Sequence, residues 1–238
     1  MVAGSESTRD PTEFRLRDAA FSVQARLRAP LWNLVQDMPA ICSCVLERLA
    51  PFGVGLNDLR IDNRDGNLGE ANLGFWALNL RARCNIRLAD VEVHCQELSQ
   101  VEIQQIGQLT QAVLGSVLDG QPNAAFADYQ ATFRMHGVPG TSIPATFLQQ
   151  FTTSEPNGLG PIKGSGATFH FGPSGPRTSC AISADMSSSF TDSIYLATRV
   201  VFDADQLQME DLMAEAGRYL KASLGALGLT LPATGESK

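Results

Sequence analysis

The sequence predicts an α+β fold built from two tandem β-α-β-β-β-α halves that share one antiparallel sheet, with long helices on one face. Three observations carry this. Residues 14–27 and 127–136 alternate apolar and polar side chains with the period of two expected of half-buried strands. Two later stretches, near 101–118 and 206–227, repeat apolar residues at helical spacing. Sliding the chain against itself by about 110 residues aligns Asp18 with Asp128, Val23 with Phe133, Gly107 with Gly217, Leu114 with Leu224 and Gly115 with Gly225.

Taken in order, the first strand carries Ala19, Phe21, Val23, Ala25 and Leu27 on one face, and Pro30 stops it. Residues 31–49 then follow helical spacing through Leu34, Ile41, Val45 and Leu49, with Pro39 placed to kink or split the helix. Pro51 and Gly53 end it. A short strand is expected at 59–62 and a turn at 63–67, where Asp65-Gly66 reads as a hairpin. Strands follow at 73–80, 83–88 and 91–95. Ser99 stands three residues before Glu102, a capping-box spacing that opens the first long helix. Gly120 and Pro122 close it.

The plan then repeats. After the 127–136 strand and Pro139, a short helix is expected at 143–151, then a loop rich in Gly, Pro and Ser at 154–166. Strands at 167–171, 179–186 and 194–202 lead to Asp203 or Asp205 as the cap of the last helix. The resulting division is a disordered N-terminus at 1–12, a first half at 13–121, a second half at 122–231 and a disordered tail at 232–238. Two such halves joined edge to edge make a TBP-like or helix-grip-like saddle, with the sheet face away from the helices free to bind.

The chain has 238 residues, is 44% hydrophobic and 18% charged, and can bury a sizeable core without staples. Its formal net charge of −7 and the lack of a basic run argue against nucleic-acid binding. Its basic residues are almost all Arg, with Lys only at 163, 221 and 238. Five cysteines (42, 44, 84, 95 and 180) form no regular framework and read as reduced thiols of a cytoplasmic protein. The start of the chain has no charged-then-apolar pattern of a signal peptide, and no apolar run approaches the roughly 20 residues of a membrane span. Neither membrane nor nucleic acid is therefore expected as a partner.

Segments 20–30 (AFSVQARLRAP) and 195–202 (YLATRVVF), the latter leading into the last helix, resemble a sporadically distributed family of uncharacterised bacterial proteins of about this length. The resemblance implies the order of strand, helix, three strands and long helix, repeated with a shorter first helix. It implies no activity, cofactor or catalytic residue.

Motifs that carry chemistry are few. Cys42 and Cys44 diverge on a helix and have no second pair at ligand spacing, so no metal is expected. The Asn63 to Asn67 turn lacks the bidentate carboxylate that a calcium loop needs at its twelfth position, which here is Asn72. The run 158–166 holds one lysine, Lys163, before Gly164 and a strand, so it does not make a phosphate loop. His94, His136 and His170 all fall in expected strands, and none adjoins a nucleophile elbow. The sharpest constellation is Arg81, Arg83 and Arg87 at even spacing, with Trp76 on the neighbouring strand and Arg26 and Arg28 able to join. Guanidinium groups sharing a sheet face suit an anionic ligand or an acidic partner segment. The alternative is a solvated face in which these arginines pair with Asp90, Glu92 and Glu97. The expected function is that of a non-enzymatic cytoplasmic binding or adaptor protein, without cofactor, whose sheet face or edge engages a protein partner or a second copy as a homodimer. The alternative is a small-molecule binding protein or enzyme with a pocket between sheet and helices.

Overall fold

The computed structural model describes residues 12–62, 70–97, 103–140, 143–151 and 166–232. It is an α+β protein with one large sheet and a few helices. The strands are β1 (Thr12–Leu27), β2 (Arg60–Asp62), β3 (Asn72–Ala77), β4 (Ala82–Arg87), β5 (Asp90–Cys95), β6 (Phe126–Pro139), β7 (Ala167–Phe171), β8 (Arg177–Met186), β9 (Ile194–Asp203) and β10 (Leu229–Thr230). The helices are α1 (Asn33–Gln36), α2 (Met38–Leu49), α3 (Ile103–Gly120), α4 (Pro144–Gln149) and α5 (Leu212–Ala226).

Nine strands run in the order β2-β3-β4-β5-β1-β6-β9-β8-β7, every neighbouring pair antiparallel. The two longest, β1 and β6, pair at the centre from Phe14↔Pro139 to Leu27↔Phe126. β10 adds parallel pairing to the start of β1. Thr12 therefore belongs to β1, opposite Leu229, and not to a disordered N-terminus.

Period-two alternation puts Phe21, Val23 and Ala25 of β1 on one face with Phe133, Ala131 and Tyr129 of β6 beside them. That face is the core. α5 reaches it through Tyr219 against Phe202 (ring centroids 5.7 Å apart), and the chain after α4 through Phe151 against Phe169 (5.8 Å). α3 lies along α2 with Leu109, Val113, Leu114 and Val117 fully buried. Asp37 splits the first helical stretch: its backbone leaves the helical region (φ −143°, ψ 58°), and its side chain accepts from the Ala40 amide. Pro39 sits in the first turn of α2, where its missing N–H costs nothing.

Several expectations need correction. The strand expected at 73–80 ends at Ala77, because Leu78, Asn79 and Leu80 turn in left-handed conformation (φ 53°, 55° and 68°). The last helix starts at Leu212 rather than near 206, after a 3₁₀ turn at Met209–Asp211. Asp203 caps an earlier turn instead, accepting from the Asp205 amide. The 63–67 turn, the Ser99–Glu102 capping box, the glycine-rich run up to Gly164, the first eleven residues and the tail beyond Pro232 lie outside the described residues. Among the described residues no helix is long and apolar enough to cross a membrane.

Candidate functional site on the open sheet face

The face opposite the core carries polar and charged side chains across almost the whole sheet. One cross-strand row reads Trp76, Arg83, His94, Ser22, Thr132, Arg199, Ala181 and His170, from β3 to β7. Trp76 and Arg83 are thus direct cross-strand neighbours, and Trp76 is 41% exposed, unusual for a large apolar ring. Ser22 and Thr132, small and buried, make a low floor at the centre of the row.

The four residues singled out from the sequence meet different fates. Trp76, Arg83 and Arg87 share this face. Arg81 does not sit on the strand: it closes the left-handed turn, its amide donating to the Leu78 carbonyl. Leu78 and Leu80 have no sequence signal for a left-handed turn, which is why the alternation ran past Ala77. Arg87 is occupied, bonded to Glu92 and 3.2 Å from Asp90. Arg26 pairs with Asp128, and Arg28 with Asp205.

Arg83 is exposed and makes no ion pair or side-chain hydrogen bond among the described residues. It acts on His94 opposite. Burial pushes the His94 imidazole below the ordinary histidine range; the Arg134 charge lowers it further, Glu92 raises it, and Arg83 lowers it. Arg134, from β6, therefore belongs to the same cluster. It was missed because the sequence does not show the sheet order, in which only β5 and β1 stand between β4 and β6. Two open recesses flank the row. One of about 510 Å³ is lined by Asp62, Glu70, Asn72, Arg83, Asn85, Arg87 and Glu92. The other, of about 320 Å³, lies over Gln24, Arg26, Asp128, Gln130 and Arg199.

Sequence reasoning also missed a serine–histidine contact. His136 Nδ1 lies 2.9 Å from Ser187 Oγ, and Asp18 stands opposite His136 in the ladder. The same Ser187 oxygen accepts from the amides of Ser189 and Phe190, at 3.2 and 3.0 Å. A hydroxyl committed to two backbone donors braces a turn and is a poor nucleophile. Among the described residues no group of three or more His, Cys, Asp or Glu is arranged to hold a metal. All five cysteines are free thiols; Cys84, Cys95 and Cys180 are buried, and burial pushes the Cys84 thiol well up. No protein-family model matches the chain, and no curated protein matches it.

Proposed function

We propose that the protein is a binding or adaptor protein that engages a protein partner through the open face of its sheet. The observation carrying this is Arg83, an exposed and unpaired cation flanked across the strands by Trp76, whose ring is exposed, and by His94. A rigid sheet presenting an aromatic ring beside an uncommitted guanidinium has the composition of a recognition hot spot. The sheet ends, β2 and β7, each pair on one side among the described residues, so strand addition or self-association at an edge is the neighbouring reading.

The small-molecule reading places the ligand between sheet and helices. Against it, that space is filled by Phe14, Phe21, Phe75 and Phe202, all nearly or fully buried, and the two recesses described lie on the other face.

We also infer that β1 to α3 and β6 to α5 are tandem copies. In support, β1 and β6 lie together at the centre, and β5, β4, β3 run outward on one side as β9, β8, β7 do on the other. The first half then carries β2 and a longer α2 as additions. An experimental structure tests this: rotating one half onto the other should superpose α3 on α5, and helices at unrelated angles to their strands overturn it.

The docking reading is tested by capture from the native host with quantitative mass spectrometry. Wild-type protein is compared with Trp76→Ala/Arg83→Glu and with Arg218→Ala on the exposed side of α5, where Arg218 pairs with Glu215. Partners lost with the first variant and kept by the second support the reading. Equal recovery with all three proteins removes it.

A further inference from the structure

Every other arginine among the described residues has something to hold. Arg26, Arg28, Arg48, Arg87 and Arg218 pair with carboxylates, Arg15 stands 3.9 Å from Glu13, and Arg199 bonds Gln130. Arg17, Arg60 and Arg177 donate to backbone carbonyls, and Arg81 has its own partner. Arg83 and Arg134 alone are left without one, in a chain whose acids outnumber its bases. Both are exposed on the same sheet face.

These two charges act on one place. β4 and β6 are three strand steps apart, roughly 14 Å. Between them lie His94 on β5 and Ser22 on β1, followed by Thr132 on β6 itself. Burial is the main cause that holds the His94 ring neutral; the Arg134 charge and, less strongly, the Arg83 charge add to it, against an opposing pull from Glu92. Two uncompensated cations disfavouring a third is a repulsive arrangement, and a bound anion relieves it. A planar carboxylate is satisfied by one guanidinium fork. A tetrahedral dianion has oxygens enough for two guanidiniums, an imidazole N–H and the hydroxyls of the floor.

We infer that Arg83, His94 and Arg134 form a binding site for the phosphoryl group of a phosphate monoester, with Ser22 and Thr132 as its floor and Trp76 beside the organic body. This deepens the docking reading and rests on it: the phosphoryl group is that of a phosphorylated side chain on the protein partner. Binding draws a proton onto His94. The groups facing that ring are Arg83 from β4, Glu92 on its own strand and already bonded to Arg87, Ser22 from β1, Arg134 from β6, and the Gln96 amide nitrogen 3.4 Å from Nε2. A dianion raises the imidazole's depressed pKa, so affinity increases as pH falls through the histidine range. A phosphate monoester loses charge itself with a pKa near 6, so sulfate, which keeps its charge there, isolates the histidine contribution.

The experiment titrates the purified full chain with phenyl phosphate, inorganic phosphate, sulfate and benzoate, following the ring resonances of His94 by NMR, assigned with His94→Gln. Phenyl phosphate should shift the His94 signal, raise its titration midpoint and bind at least about tenfold more tightly than benzoate. Tighter binding of phenyl phosphate than inorganic phosphate, lost in Trp76→Ala, places the organic body against the ring. Arg83→Gln/Arg134→Gln should weaken phenyl phosphate about tenfold or more with an unchanged melting curve, and Arg83→Lys/Arg134→Lys should restore part of it. Sulfate affinity should rise toward low pH in the wild type and stay flat in His94→Gln. An unmoved His94 signal, or benzoate binding as well as phenyl phosphate, overturns the inference. Should the anions fail while partner capture still depends on Trp76 and Arg83, the docking reading stands alone. Should the anions bind while capture ignores both residues, the site serves a free phosphate monoester and the docking reading falls.

Discussion

The two long helices, α3 and α5, hold glycines at positions related by the same shift of about 110 residues, yet for opposite reasons. In α3, a Cβ on Gly107 would stand 3.3 Å from Met213 Cγ, and one on Gly115 would stand 2.6 Å from the Arg48 guanidinium. At Gly120 it would collide with Ile41 of α2. In α5, Gly217 and Gly225 face open space, with nothing within 4 Å. α3 is packed against α2 and meets Met213 of α5 near its start, so its glycines permit a close approach. α5 rests on β9 and β6 with its outer side carrying Glu215, Arg218 and Lys221, so its glycines only weaken the helix. Glycines matched by one shift along the chain need not do the same job.

The largest expected effect sharpens this contrast. Leu114→Ala, in the fully buried stripe of α3, should cost about 2–5 kcal/mol in denaturant unfolding through lost burial and a residual cavity. Gly120→Ala should cost about 1–3 kcal/mol, because Ile41 is itself fully buried and has little room to yield. Gly217→Ala should instead stabilise the protein by about 0.5–1 kcal/mol, since the new methyl group meets nothing and the unfolded chain loses freedom. If Gly217→Ala weakens the fold or abolishes self-association, α5 is covered in solution, and the contrast with α3 dissolves.

A smaller contrast separates the two arginines of β4. Arg87, bonded to Glu92, should lose about 0.5–1 kcal/mol on change to alanine, a modest value because its side chain is 39% exposed and screened. Arg83→Ala should leave stability within about 0.5 kcal/mol, since no partner is abandoned. The thiols give the last comparison. In the native protein, half-buried Cys42 and Cys44 on α2 should react with a thiol reagent well before Cys84, Cys95 and Cys180, and all five should titrate in denaturant without reductant. Fewer than five free thiols would contradict the structure.

Much of the fold was legible because it rests on local periodicity. The alternation through Phe21, Val23 and Ala25, and the stripe through Leu109, Val113 and Val117, each record one buried face within one element. Pro39 was readable as a break in the helix, although its place in the first turn of α2 depended on Asp37 leaving the helical conformation. The turn at Leu78, Asn79 and Leu80 was not readable. Leucine disfavours the left-handed region by roughly 1–2 kcal/mol, so only the pairing of β3 with β4 on either side makes the chain adopt it. That turn removed Arg81 from the strand face and with it one member of the expected arginine set.

By itself, the sequence determined which side of each strand is apolar, roughly where each long helix runs, and that Arg83 and Arg87 share a face, since these follow from spacing along one short stretch of chain, while the β3–β4 register set Trp76 beside Arg83. Only the tertiary structure decided which of those arginines is free. Arg87 finds Glu92 across a tight hairpin, while the partner of Arg83 in charge and position is Arg134, brought from β6 by a sheet order in which β1 and β6 lie between the outer strands of both ends. Strand order is set by how whole faces bury against α3 and α5, a long-range balance that no local pattern of residues encodes.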